Sequence, residues 1–254
     1  MITFTTADIE TWVAAFLYPF VRILALMSSA PLFSHASMPA RLRVGLALGI
    51  AAAIAGTLPA APFVSPLSPA GALLVVQQVV IGVSIGLAMQ LVFAAVTLAG
   101  DMIGLQMGLS FAAFVDPQNA EQAPIVGAFL SLVLMLVFLA INGHLALIAA
   151  LVDSFSVLPI GPDGWHALDA MRLVEAGSSV FATGLALSLP VIGALLLVNL
   201  TLGVLTRTAP QLNLFAVGFP VTLVVGLVML LLAMPFTVPL LQQALERGLG
   251  LLLH

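Results

Sequence analysis

The 254-residue chain is 62% hydrophobic and only 6% charged, against roughly 45–50% and about 25% in ordinary globular domains, and its mean hydropathy is +1.26, which excludes a soluble domain. It reads instead as an all-α, polytopic integral membrane protein. Its six basic residues are all arginine, ten acidic residues bring the net charge to −4, and cysteine is absent, which excludes a basic nucleic-acid surface, disulfides, thiolate nucleophiles and sulfur metal ligands.

The start, Met1 to Glu10, carries Asp8 and Glu10 rather than a positive region, so it does not read as a cleavable signal peptide. Asp8 is placed to cap a first helix from Ile9 to Ala30, with Trp12 and Tyr18 near its end, where amphipathic rings favour a membrane interface. Arg22 falls inside that run and demands a carboxylate or carbonyl partner from another segment. Pro31 ends the helix. A short connection holds His35, read as a solvated loop histidine, and Arg41 and Arg43 then suggest a cytoplasmic boundary before a second run, Leu42 to Leu58. That run carries Gly45 and Gly49 as a small-xxx-small pair and is short for a span.

Prolines 59, 62, 66 and 69 predict a stiff, extended linker. The third run, Ala70 to Ala99, would be about 45 Å long as one straight helix, more than the ~30 Å hydrocarbon core, so it must tilt, bend or leave the bilayer. Gly82 and Gly86 form a close-packing pair within it, while Gln77, Gln78, Ser84 and Gln90 call for neighbouring helices rather than lipid.

From Val44 to Gly100 there is no Asp, Glu, Lys, Arg or His, and from Pro124 to Val152 only His144. Between these stretches lies a segment, 100–123, that is apolar yet irregular, with glycines at 100, 104 and 108 and an Asp116-Pro117 step. Irregular backbone at membrane depth must be covered by protein or line a cavity, since each unpaired peptide group in hydrocarbon costs on the order of several kcal/mol. The segment is therefore expected to face a pore or an interface. A helix continuing through Gly100, Gly104 and Gly108 would present one glycine stripe for close packing, against its own neighbours or another subunit. Asp101, Asp116 and Glu121 invite a proton or cation site, but Asp116 stands in a turn-like Asp-Pro-Gln-Asn context that fits an Asx-turn better.

The fourth run extends from Pro124 to Val152, with His144 read as a satisfied core histidine. A polar loop, 153–170, follows, with an acidic balance and Trp165 that favour the outer face. The fifth run, Ala176 to Thr206, should kink at Pro190. A compact turn, Arg207 to Asn213, leads to the sixth run, Leu214 to Ala233, and Pro235 and Pro239 separate it from a C-terminal amphipathic tail, 236–254. The result is a single membrane-embedded domain over residues 1–254 with about six long apolar segments, several of them broken or re-entrant. No HExxH, GxSxG, Walker-type loop or paired His/Cys spacing is present, so neither an enzyme nor a metal or cofactor site is expected.

Three motifs, Gly104 to Pro117, Pro39 to Leu48, and Leu202 to Pro220, resemble in order and spacing the FliR/SctT family of type III export gates. The wording of Gly203-Val-Leu-Thr-Arg and of Gly218-Phe-Pro favours the flagellar branch of that family. The resemblance covers essentially the whole chain. It implies a multi-pass subunit of the bacterial inner membrane and flagellar basal body that assembles with FliP and FliQ into a helical hetero-oligomeric gate. It further implies contacts with FlhB and FlhA, and passage of unfolded flagellar proteins. By the same resemblance Gln106, Met107, Gly108, Leu109, Ser110, Phe111, Ala112, Phe114, Asp116 and Pro117 belong to a pore plug. Gly82, Gly86, Gly100 and Gly104 are expected to pack subunits, and Arg207, Pro210, Gln211 and Asn213 form a family-motif turn. Read from the residues alone, apolar Met and Phe side chains on a glycine-jointed segment suit a seal around a moving chain. A small-solute secondary transporter or channel is the alternative, although the chain lacks the internal repeat usual in transporters.

Overall fold

Backbone at membrane depth can satisfy its hydrogen bonds only as helix or closed barrel, and the computed structural model is helical throughout its regular elements. It describes residues 6–35, 37–58, 64–109, 125–161, 170–208 and 214–253. Among these, α1 is Thr6–Ser29, α2 Ala40–Ile54, α3 Pro69–Gln106, α4 Ile125–Ala140, α5 Gly143–Val157, α6 Ala170–Thr208 and α7 Leu214–Leu253.

Several boundaries differ from the sequence expectation, each for a local reason. Asp8 lies inside α1 rather than capping it, and Pro19 is tolerated mid-helix. Pro69 opens α3 at the position where a missing N–H costs nothing, and Ser68 caps it, its Oγ accepting from the Gly71 N–H at 3.0 Å. The last proline of the expected linker is therefore the first residue of a helix. Gly100 to Gln106, expected to be irregular, continues α3 to a length of 38 residues. The fourth run breaks in two because Asn142, with φ 56°, takes the left-handed conformation that asparagine tolerates best among residues with a side chain. Asp153 to Val157, expected in a loop, form the last turn of α5. Finally, Pro220, Pro235 and Pro239 all lie inside a continuous 40-residue α7, so no separate C-terminal tail forms.

Among the described residues, four helices are long and apolar enough to cross a membrane: Trp12–Ser29, Pro69–Gln106, Val180–Thr208 and Val217–Gly248. A fifth is counted if α4 and α5 make one broken span. The second run, read from the sequence as short for a span, is the 15-residue α2.

The chain forms two compact units, Met1–Leu91 with Asn142–Gly177 and Glu246–His254, and Val92–Ile141 with Ser178–Leu245. In the first, Ile23, Leu26 and Met27 of α1 form a core with Ala47 and Ala51 of α2, Ile81 and Ile85 of α3, and Leu147 and Leu151 of α5. Within lipid such a core gains little from hydrophobic transfer, so close van der Waals fit must hold it. Gly82 and Gly86 provide that fit, since a Cβ at Gly82 would overlap the Arg22 carbonyl oxygen and one at Gly86 the Ser29 hydroxyl. In the second unit the last third of α3 packs on α4, α6 and α7. Phe93 meets Phe138 edge-on at 6.3 Å, and Gly184 of α6 lies against the backbone of Ala95.

Candidate functional site

The segment singled out by the sequence is entered where α3 stops, and the stop is a defined structure. Gly108 adopts φ 82°, its N–H donates to the Leu105 carbonyl at 3.1 Å, and the Leu109 N–H donates to the Gly104 carbonyl at 3.1 Å. These two bonds around a left-handed glycine make a Schellman cap, which satisfies two of the carbonyls that a helix end leaves orphaned. The carbonyl of Met107 is satisfied from another helix, by the Thr222 hydroxyl of α7 at 3.2 Å.

The walls around this end are tight. Gly100 faces Gly127 of α4 so closely that a Cβ on Gly100 would overlap the Gly127 backbone. One turn earlier the hydroxyls of Thr97 and Ser131 hydrogen bond at 2.9 Å. Asp101 points into the same seam: a Cβ at Gly127 would come within 2.6 Å of its Oδ1, which is buried and has no hydrogen-bond partner among the described residues. On the α6 side Ser188 donates to the Met102 sulfur at 3.8 Å.

Of the expected plug residues, Gln106 is the last helical residue of α3, and Gly108 and Leu109 are half-buried in the capping turn. Met107 is 1% exposed, and its side chain crosses the bare backbone of Gly226 in α7. It is thus enclosed by its own unit. Ser110, Phe111, Ala112, Phe114, Asp116 and Pro117 lie outside the described residues, as do Glu121, Pro210, Gln211 and Asn213. Arg207 is exposed in the last turn of α6. The glycines expected to pack subunits meet helices of this same chain: Gly82 and Gly86 face α1, Gly100 faces α4, and Gly104 lies more loosely against Val126.

Residues 13–248 match the family of bacterial export proteins, family 1. The flagellar biosynthetic protein FliR of Pectobacterium carotovorum subsp. carotovorum is 46% identical over 240 residues, covering 94% of this chain and 91% of that protein. FliR of Escherichia coli (strain K12) is 45% identical over 239 residues, 94% and 91% of the two chains, and FliR of Bacillus subtilis (strain 168) is 34% identical over 223 residues, 87% and 86%. The chain belongs to the bacterial export proteins, family 1.

In this export protein Arg22 is fully buried and engages several partners. Its Nε donates to Gln78 Oε1 at 2.7 Å, Nη1 to the carbonyl and hydroxyl oxygens of Ser154 at 3.0 Å each, and Nη2 to the Leu158 carbonyl at 2.8 Å. The Phe155 ring lies 4.1 Å from the guanidinium carbon. The expected carbonyl partner is present, supplied by the C-terminal end of α5, where the helix dipole favours a cation. Gln78 in turn donates to Gln77 Oε1 at 3.0 Å, and Gln77 donates to the Gly161 carbonyl at 2.6 Å. The start of the segment read as a solvated loop is thus held down by buried polar groups of α1 and α3. His144 departs from expectation too, since its Nδ1 is buried with no hydrogen-bond partner among the described residues.

Thr222, Gly226, Gly127 and Ser154 were not singled out from the sequence. The available signal was weak: Thr222, Gly226 and Gly127 are each a small residue at one point of a long apolar run, and Ser154 stands at the start of the segment read as a polar loop.

Proposed function

We propose that this membrane protein is a subunit of the bacterial flagellar type III protein export gate. In this reading it forms with FliP and FliQ the closed inner-membrane pore at the flagellar basal body, adjoins FlhB and FlhA, and lets unfolded flagellar proteins pass. The observation that carries the reading is the alignment of nearly the whole chain with proteins named flagellar biosynthetic protein FliR. The geometry is compatible with it: α3 ends in a glycine cap, and the chain then enters an apolar, Phe-bearing stretch before α4 begins.

The plug is assigned to Leu109, Phe111 and Phe114, with Met107 serving as its fixed root. Removing Leu109 to Asp116 from the assembled gate is expected to raise small-ion leakage across the inner membrane. Unchanged conductance, with FliP and FliQ still co-purifying, defeats the plug assignment. Purification of the chain without any such partners, as a stable solute-binding monomer, defeats the gate reading as a whole and favours the transporter.

A further inference from the structure

The end of α3 is seated in a socket on α7. Thr222 and Gly226 are four residues apart and so share a face of α7. The first contacts the Met107 carbonyl and the second lies under the Met107 side chain. A Cβ placed on Gly226 would stand 2.8 Å from the Met107 sulfur and 2.9 Å from its terminal methyl. Met107 is 1% exposed, so its side chain is enclosed where it crosses Gly226. The Thr222 hydroxyl also lies 3.0 Å from the Phe219 carbonyl within its own helix. It has one hydrogen and two acceptors, so when Met107 leaves, the hydroxyl keeps a partner and the only group newly unpaired is the Met107 carbonyl. The next residue, Gly108, is in the left-handed region at φ 82°, where the chain turns away from the helix axis.

We propose that Thr222 and Gly226 are positioning residues: together they form a socket that holds Met107 and so fixes the point and direction in which the chain leaves α3. The proposal deepens the export-gate reading and rests on it for its biological meaning, while its geometry stands on the described residues alone. The fixed point is Met107 and the joint is Gly108. Helices α4 and α6 hold α3 earlier along its length, at Gly100 through Gly127 and at Met102 through Ser188, and both contacts lie before the exit. The flexible thioether suits the role, since it fills the bare strip of backbone that a glycine leaves.

The chain has no cysteine, so Leu109→Cys and Phe236→Cys in the full-length protein give two unique spin-label sites, one beyond the joint and one along α7. The distance distribution between them is measured in protein purified from membranes, alone and with Thr222→Val, Gly226→Ala, Met107→Ala, or Gly226→Ala with Met107→Ala. The expected result is a single narrow distance in the otherwise unaltered protein, shifted and broadened by Gly226→Ala and by Thr222→Val. In the double variant it is restored, because the shorter side chain leaves room for the added methyl. An unshifted distance in both Gly226→Ala and Thr222→Val overturns the socket, as does a double variant no better than Gly226→Ala. If Gly226→Ala does not accumulate in the membrane, Thr222→Val, which preserves side-chain shape, decides alone. Ion leakage is recorded in the same strains. A shifted distance without leakage upholds the socket and removes the plug assignment, whereas an unshifted distance removes the socket whatever the leakage.

Discussion

A buried guanidinium with no carboxylate beside it among the described residues is costly, and Arg22 shows how a membrane protein meets that cost with neutral groups. Three elements supply oxygens: Gln78 of α3, Ser154 of α5, and the Leu158 carbonyl beyond it, with the Phe155 ring on one face. Hydrogen bonds to a charged group contribute about 1.5–3 kcal/mol each, and a buried acceptor left unpaired costs a similar amount. Arg22→Leu should therefore lower the thermal midpoint of the detergent-solubilised protein strongly. Arg22→Lys should lower it nearly as far, because an ammonium on a flexible stem cannot match a planar fork with separate acceptors on its different nitrogens. Gln77→Leu, which frees only the Gly161 carbonyl and one contact of Gln78, should have the smallest effect of the three. If the lysine variant matches the unaltered protein, the forked geometry is irrelevant and only the charge matters.

Helices in this chain are shaped at their ends and at their glycines more than by their apolar surface, which is nearly uniform. The α3 end depends on a left-handed residue, and placing a Cβ there costs roughly 1–2 kcal/mol. Gly108→Ala should destabilise the solubilised protein by about that much, and Gly108→Asn by less, as followed by thermal melting. The α3–α4 seam depends on the mutual approach of Gly100 and Gly127. Gly127→Ala should cost about 1–3 kcal/mol, because the added methyl meets the Asp101 carboxyl and, at 3.2 Å, the backbone carbonyl of Thr97. A melting point unchanged by Gly127→Ala would show that the two helices stand further apart than the structure places them. The prolines of α7 teach the opposite lesson. Pro235 and Pro239, read from sequence as a break, stay within one helix, since a single missing N–H is tolerable when the flanking turns are intact and local adjustment or neighbours satisfy the freed carbonyl.

At the scale of the molecule, the glycines fall into two classes. Gly82, Gly86, Gly100, Gly127, Gly184 and Gly226 are each met by a neighbour of the same chain, whereas Gly45, Gly49, Gly193 and Gly203 have nothing among the described residues within 4 Å of where a Cβ would stand. The second class lies on α2 and α6, where Leu42, Leu46, Leu196, Leu197 and Leu200 are also exposed. Substitution there should leave the fold of the lone chain alone, within about 0.5 kcal/mol. Under the export-gate reading, Gly49→Leu and Gly193→Leu should still reduce recovery of FliP and FliQ in co-purification, since bulk on a close-packing face keeps another helix away. Full recovery with both variants would mean that these faces meet lipid.

Composition alone decided that the protein is helical and membrane-embedded, because hydrocarbon leaves an apolar backbone few other ways to pair its peptide groups. The ordered motifs decided the family, and the lone arginine in the first run announced that a carboxylate or carbonyl from another segment must meet it. Those features are one-dimensional, or force a single outcome. Only the tertiary structure decided that α3 runs on through Gly100 and Gly104 as far as Gln106, that the Met107 side chain lies against Gly226 of α7, and that Ser154 is buried beside Arg22. Each depends on which helix stands opposite, and in a chain of nearly uniform hydropathy the sequence carries almost no signal of who faces whom.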